Sequence, residues 1–218
     1  MDRNFWLDRW EKNEIGFHQN EINTHLKTYW SKLGLDNKCK VFVPLCGKSR
    51  DMLWLEGQGH AVLGVEISPL AVEAFFKEND LPSRKTQQGS FMRWDCGSLS
   101  LLCGDYFALE ADDLKEVNAI YDRASLIALP PELRQQYVSH LSKLFPDGIP
   151  ILLSTLEYPQ SEMQGPPFSV EEQEVRVLYE QRYTVEVLYS QNVLEENPRF
   201  KERGLTRFIE KIYKLSPR

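Results

Sequence analysis

Glu66 closes the apolar run AVLGVE at residues 61–66, and the loop Pro44-Leu45-Cys46-Gly47-Lys48 closes the run VFVPLCGK at residues 41–48. A carboxylate at a strand end can accept both hydrogen bonds of a ribose diol. A glycine in the neighbouring loop lets a ligand come close to the backbone. In an open parallel sheet both groups fall at the carboxyl edge of the strands, where nucleotides and nucleosides bind. Together they predict a site for a cofactor of the adenosine type. Taken alone, Glu66 also fits a solvated strand end; its spacing from the Leu45 loop favours the ribose role.

Missing features narrow the cofactor. A dinucleotide site usually carries G-x-G-x-x-G, so that the backbone can reach a pyrophosphate. The loop at residues 44–48 has a single glycine. Gly47-Lys48-Ser49 matches the end of a phosphate-binding P-loop, but the leading glycine of that motif would fall at Phe42, an aromatic residue inside the strand. A ribose-binding carboxylate without a diphosphate cradle suits S-adenosylmethionine, which has no phosphate. NAD and a plain buried βαβ unit remain open alternatives on these residues.

The elements that must position these groups follow from periodicity. Residues 4–13 set Phe5, Trp6 and Trp10 among charges at helical spacing, and Gly16-Phe17-His18-Gln19 interrupts them. A second amphipathic helix is predicted over residues 21–33, with Ile22, Leu26 and Trp30 on one stripe. These two pieces precede the first strand and suit a lid or shoulder. A helix over 50–56 ends near Gly57 and Gly59, and Ser68-Pro69 caps and opens the next, which runs to Asn79. Residues 91–94 and 99–103 read as a hairpin around Asp95-Cys96-Gly97, its second arm leading to Asp105-Tyr106.

Residues 117–121 form a strand that ends in Asp122-Arg123. A helix over 131–145 places Leu133, Tyr137, Leu141 and Leu144 on one face. Residues 149–156 are continuously apolar, as at the doubly covered centre of a sheet. Ser169-Val170-Glu171-Glu172 reads as a capping box. Residues 183–193 and 206–215 alternate like a closing antiparallel pair. The alternation predicts a single α/β layer sandwich.

Bulk properties bound the function. The chain has 218 residues, formal net charge −6 and four cysteines. A chain of this size buries about 70% of its unfolded surface and needs no metal or disulfide staple. The acidic balance and scattered Lys/Arg residues argue against a dedicated nucleic-acid binder, which needs a basic face. Cys39, Cys46, Cys96 and Cys103 form no C-x-x-C and no zinc spacing. With no secretory h-region at the start, they predict reduced thiols in a cytoplasmic protein. No apolar stretch approaches the roughly 20 residues of a membrane span. Cys46 has no identified base and reads as a small loop residue rather than a nucleophile. His18, His25, His60 and His140 show no ligand pattern.

Five blocks, VFVPLCGKSRDMLWL, GHAVLGVEISPLAVEAFF, IYDRASLIALP, GPPF and RGLTRFIEKIYKL, together with Trp10 and GFHQ, resemble the thiopurine S-methyltransferase family, its bacterial members most closely. The likeness runs almost end to end. It implies the class I methyltransferase (Rossmann-like) fold, a three-layer α/β/α sandwich with a mainly parallel seven-stranded sheet and an antiparallel last strand. It implies one domain over residues 1–218, with residues 1–36 as a helical lid over the cofactor. The cofactor would be S-adenosylmethionine, the product S-adenosylhomocysteine.

For the cofactor, the resemblance implies Trp10 as cover, Leu45 beneath the methionyl part, Glu66 at the ribose, Asp105 and Tyr106 at the adenine, and Arg123 beside the reaction centre. Without it, Trp10 reads as core on an amphipathic helix. For the acceptor, it implies Phe17, Arg123 and Arg199, with Pro166 and Pro167 shaping the rim. Arg123 is the expected catalytic residue.

The predicted reaction is methyl transfer to the sulfur of thiopurines or similar heterocyclic thiols, and to selenium or tellurium compounds, which are equally soft nucleophiles. Amino-group methyltransferases of nucleic acids often show Asn/Asp-Pro-Pro-aromatic after the fourth strand, where this chain has Tyr121-Asp122-Arg123-Ala124. A cation there suits an anionic acceptor and discourages a divalent metal. The expectation is a monomer acting on a small molecule, without metal, nucleic acid or membrane. An NAD(P)-dependent oxidoreductase and a non-catalytic S-adenosylmethionine-binding regulator are the competing readings.

Overall fold

The computed structural model describes residues 3–35 and 38–218, so residues 1, 2 and 36 of the expected lid segment lie outside the described residues. The chain forms two compact units, Met1–Tyr121 and Asp122–Arg218.

In the first unit, helix α1 spans Arg3–Glu11 and helix α2 spans Thr24–Tyr29. The predicted helix over 21–33 is therefore shorter, because Asn23 caps α2 by accepting the Leu26 amide, and Trp30–Leu33 tightens into a 3₁₀ turn closed by left-handed Gly34. Strand β1 (Lys40–Val43), helix α3 (Asp51–Gly57), strand β2 (Ala61–Glu66) and helix α4 (Pro69–Glu78) follow. As expected, Ser68 caps α4 and Pro69 opens it.

Strands β3 (Arg84–Gln88), β4 (Phe91–Cys96), β5 (Leu99–Cys103) and β6 (Val117–Arg123) complete this part of the sheet, in the order β3-β4-β5-β2-β1-β6. β1 runs parallel to β2 and β6, and β2 parallel to β5, while β3 and β4 pair antiparallel. Val41, Phe42, Val43, Val62, Leu63 and Val65 are all buried, which explains why these strands read as unbroken apolar runs. β3 escaped the periodicity because RKTQQ has no buried face.

Asp51 ties the N-terminal segment to this core. It is fully buried, accepts the Asn23 amide at 2.8 Å on one oxygen and the Tyr121 hydroxyl at 2.9 Å on the other. His60 is buried local packing. Its Nε2 accepts from Trp30 Nε1 at 2.9 Å and its Nδ1 lies 3.3 Å from Cys39 Sγ, while burial lowers its pKa.

The second unit holds helix α5 (Pro131–Leu144), strand β7 (Ile151–Glu157), helix α6 (Glu172–Tyr179), strand β8 (Tyr183–Asn192), helix α7 (Pro198–Glu202) and strand β9 (Ile209–Pro217). β9 lies between β7 and β8 and is antiparallel to both, as the resemblance implied for the last strand. The described residues contain nine strands rather than seven, and the hairpin of β3 and β4 supplies the additional pair.

Two local readings differ in detail. On α5 the buried face carries Arg134, Tyr137, Val138, Leu141 and Leu144, so it is rotated toward Arg134 and leaves Leu133 half-buried. Ser169 opens no capping box: α6 starts after Glu171 without a side-chain cap, and Ser169 Oγ instead accepts the Tyr158 amide at 2.9 Å.

Candidate cofactor and acceptor sites

Three loops of the first unit meet at Glu66. The loop after β1 turns through left-handed Leu45 (φ 46°) and Gly47 (φ 54°), the former an uncommon state for a side-chain-bearing residue. This turn brings the Cys46 amide to the Val65 carbonyl at 3.0 Å. The Gly47 amide then donates to Glu66 Oε2 at 2.9 Å, and the Ser68 amide to Oε1 at 2.8 Å. From the loop after β5, the Gly104 amide donates to the Glu66 carbonyl at 2.9 Å and sets Asp105 beside this strand end.

The Glu66 side chain is only 6% exposed. Burial pushes its carboxyl up, and the amides of Ser68, Gly47 and Ile67 pull it back. The Gly47 and Ser68 amides take one acceptor site on each carboxylate oxygen, and a carboxylate with about four sites keeps capacity beyond the three amides. That acceptor group fits the two donating hydroxyls of a ribose diol.

Two glycines make the arrangement possible. A Cβ on Gly64 would stand 2.7 Å from Cys46 Sγ and 3.2 Å from Met52 Sδ, so the loop packs directly on β2 only because residue 64 has no side chain. A Cβ on Gly47 would lie 3.4 Å from the Trp10 indole. Burial, aided by the Glu66 charge, pushes the Cys46 thiol well up, so it stays protonated and serves as packing.

Trp10 is buried on α1 and meets the Phe17 ring edge-on at 5.7 Å, while Phe17 meets Trp6 at 5.5 Å. Phe17 itself is 42% exposed. Asp105 accepts the Phe107 amide at 2.9 Å and caps a 3₁₀ turn over Tyr106–Ala108, in which Tyr106 is buried. The structure thus links Phe17, Trp10, the Leu45–Gly47 loop, Glu66 and Asp105-Tyr106 into one continuous set within this unit.

The second unit carries the other expected residues. Arg123 is half-buried at the end of β6 and is followed by Ala124 in the left-handed region (φ 76°). Asp122 beside it is fully buried and accepts the Tyr137 hydroxyl at 2.6 Å. Burial raises its carboxyl to about 6, against the pull of Tyr137 and Ser125.

Pro166 and Pro167 are half-buried, both following cis peptide bonds. The Phe168 amide donates to the Ile127 carbonyl at 2.7 Å, which joins the proline segment to the loop that follows Arg123. Arg199 lies on the exposed side of α7, its guanidinium 4.7 Å over the Phe200 ring.

Arg134 was missed from the sequence. It is 1% exposed, donates from Nε to the carbonyls of Leu126 (3.2 Å) and Leu129 (2.9 Å), and pairs through Nη1 with both Glu174 oxygens at 2.7 and 2.6 Å. A basic residue one place from the apolar stripe of α5 was the available signal. Among the described residues no group of three or more His, Cys, Asp or Glu side chains is arranged to hold a metal, and no helix is long and apolar enough to cross a membrane.

A parallel central sheet whose strand-end carboxylate is braced by a loop without the glycine pattern of a diphosphate cradle fits the class I S-adenosylmethionine-dependent methyltransferases. Residues 1–218 match the family model described as Thiopurine S-methyltransferase (TPMT), and the chain belongs to that family. It is 53% identical over 218 residues to a thiopurine S-methyltransferase of Nitrosospira multiformis, covering 100% of this chain and 99% of the relative. It is 47% identical over 216 residues to the thiopurine S-methyltransferase of Methylococcus capsulatus, covering 99% and 97%.

Among solved structures it is similar in fold to a SAM-dependent methyltransferase from Anabaena variabilis (TM-score 0.68, 14% identity, covering 99% of this chain and 95% of that one). It is also similar to 1,6-didemethyltoxoflavin-N1-methyltransferase from Burkholderia thailandensis, solved with bound 1,6-didemethyltoxoflavin and S-adenosylhomocysteine (TM-score 0.62, 16% identity, 98% and 87% covered). Family membership decides between the readings that the residues left open: the chain is an enzyme that uses S-adenosylmethionine, not a nicotinamide oxidoreductase or a non-catalytic regulator.

Proposed function

We propose that the enzyme methylates the sulfur of thiopurines and similar heterocyclic thiols, and extends to selenium or tellurium compounds, which are soft nucleophiles like sulfur. The observation that carries this reading is the match of residues 1–218 to the thiopurine S-methyltransferase family, and the Glu66 carboxylate, braced by the Gly47 and Ser68 amides with acceptor capacity to spare, supports its cofactor half. When bound, S-adenosylmethionine supplies an electrophilic methyl group on a sulfonium.

On this reading Glu66 takes the ribose, Asp105 and Tyr106 the adenine, Leu45 the methionyl part, and Trp10 covers the cofactor. Phe17, Arg123, Arg199, Pro166 and Pro167 serve the acceptor. In-line displacement needs alignment above all, and orientation alone can lower a barrier by about 7–11 kcal/mol. An acidic heterocyclic thiol needs no strong base, so the role of Arg123 is to favour its anionic form.

The same proposal takes residues 1–218 as a single catalytic domain with residues 1–36 as its lid. It acts as a cytoplasmic monomer on a small molecule, without metal, nucleic acid or membrane. The acidic charge and scattered Lys/Arg residues support the part of this that excludes a nucleic-acid partner.

The deciding experiment follows label from the S-adenosylmethionine methyl group into a thiopurine across pH, in the native enzyme and in Arg123→Ala. Label is expected in the thiopurine, and the variant's profile should move to higher pH, where the acceptor ionises unaided. An unmoved profile at full turnover removes Arg123 from the chemistry, and an unlabelled thiopurine overturns the acceptor class.

A further inference from the structure

A closed set of side-chain bonds holds the segment that carries Pro166 and Pro167. The Tyr158 hydroxyl donates to the Pro167 carbonyl at 2.5 Å. Gln160 Nε2 donates to that same hydroxyl oxygen at 3.2 Å and to the Met163 carbonyl at 2.6 Å, while its Oε1 accepts the Ser169 amide at 2.9 Å. Ser169 Oγ returns to the Tyr158 amide at 2.9 Å. Gly165 closes the turn at φ 76°, where a Cβ would fall 2.5 Å from the Phe168 ring.

Prolines have no N–H, so such a segment can be held only through its carbonyls and its flanking residues. Tyr158 provides the carbonyl hold, and its ring cannot follow a shifting loop. It is 1% exposed and packs among Met163, Val193, Leu194, Phe200, Leu205 and Phe208. Gln160, by contrast, is an exposed residue that makes three hydrogen bonds inside one turn.

We propose that Tyr158 and Gln160 are positioning residues that set the shape of the Pro166-Pro167 rim and thereby which acceptors the enzyme accepts. This rests on the reading that these prolines face the acceptor. Tyr158 is the fixed post and Gln160 the brace that aims its hydroxyl. Neither touches the reacting atoms, so their effect falls on acceptor binding rather than on methyl transfer or cofactor binding.

The test compares Tyr158→Phe, Gln160→Ala, Pro166→Ala and Pro167→Ala in the full chain. Acceptor KM and kcat are measured for a bicyclic thiopurine and for a monocyclic aryl thiol, and S-adenosylmethionine affinity by calorimetry. Tyr158→Phe keeps the ring and deletes one hydroxyl, and should raise the thiopurine KM about tenfold, the effect of losing one buried hydrogen bond. The aryl thiol KM should move less, kcat should stay within about twofold, and cofactor affinity should be unchanged.

Gln160→Ala should act in the same direction, and its exposed position keeps the test open if Tyr158→Phe folds poorly. Proline variants that leave both KM values unchanged would remove the rim reading and this inference with it. Proline variants that raise the thiopurine KM, beside Tyr158 and Gln160 variants that do not, would overturn this inference alone. An equal fall in kcat for both acceptors would also overturn it, since that is the mark of general structural damage.

Discussion

Glu66 in the first unit and Asp122 in the second are both buried carboxylates at or next to the end of a parallel strand, yet different groups hold them. Glu66 is met by backbone amides from Gly47, Ser68 and Ile67. Asp122 is met by the Tyr137 hydroxyl on α5 and by Ser125. The contrast continues outward. The loops around Glu66 are joined by amide-to-carbonyl and amide-to-carboxylate bonds, with glycines where chains touch. The loops after Arg123 and around Pro166 hang on the side chains of Arg134, Tyr158, Gln160 and Ser169. A backbone-built site depends little on which side chains surround it and suits a constant cofactor. A side-chain-built site can be reshaped by single substitutions and suits a variable acceptor.

The largest effect should come from Glu66→Gln. An amide nitrogen would then face the Gly47 or Ser68 amide, donor against donor. Hydrogen bonds to charged groups contribute about 1.5–3 kcal/mol each, so S-adenosylmethionine should bind about 100-fold more weakly in calorimetric titration. Unaltered affinity would place the cofactor's sugar elsewhere and dissolve the contrast.

Arg134→Met tests the other side. It strands Glu174 and deprives the Leu126 and Leu129 carbonyls of their donor. Glu174 is 31% exposed, so the loss is that of hydrogen bonds to a charged group, about 1.5–3 kcal/mol, read as a lower denaturant midpoint. Below the unfolding transition, cofactor affinity should stay near that of the native enzyme while acceptor KM rises. Equal loss of both would mean that the two sites are not separately supported.

A smaller effect concerns pH. The Asp122 carboxyl titrates at about 6 when folded, and an aspartate in an unfolded chain at about 4. Between those values the unfolded chain is ionised while folded Asp122 holds its proton. This group's contribution is therefore fully present below about pH 4. It declines as pH rises toward 6 and is then constant. Asp122→Asn, which keeps an acceptor for Tyr137, should remove that decline, a difference of about 2–3 kcal/mol between pH 4 and pH 7 in paired denaturation curves. Parallel curves across this interval would show that Asp122 is already ionised in the folded enzyme.

The legibility of the sequence follows the same division. The run AVLGVE, the Ser68-Pro69 helix start and the loop at Pro44 to Lys48 are each a continuous stretch, so the ends of β1 and β2 could be read from strand periodicity and turn chemistry. β3 could not, because an edge strand with no buried face has no apolar signal. The capping box at Ser169 was misread because its hydroxyl had a better use on Tyr158, a partner eleven residues away that no local pattern names. Arg134 stayed hidden for the same reason: its partner, Glu174, is forty residues distant.

From its own residues, the chain determined the alternation of strand and helix, the strand-end carboxylate and the phosphate-free loop, because short-range sterics and burial act on neighbours. Only the tertiary structure decided that Gly64 must be bare beneath Cys46, that Trp10 lies over Gly47 beside Phe17, and that Tyr158 and Arg134 hold the loops of the second unit. Those contacts join residues far apart in the chain, and their energies depend on burial that exists only after the chain has closed around them.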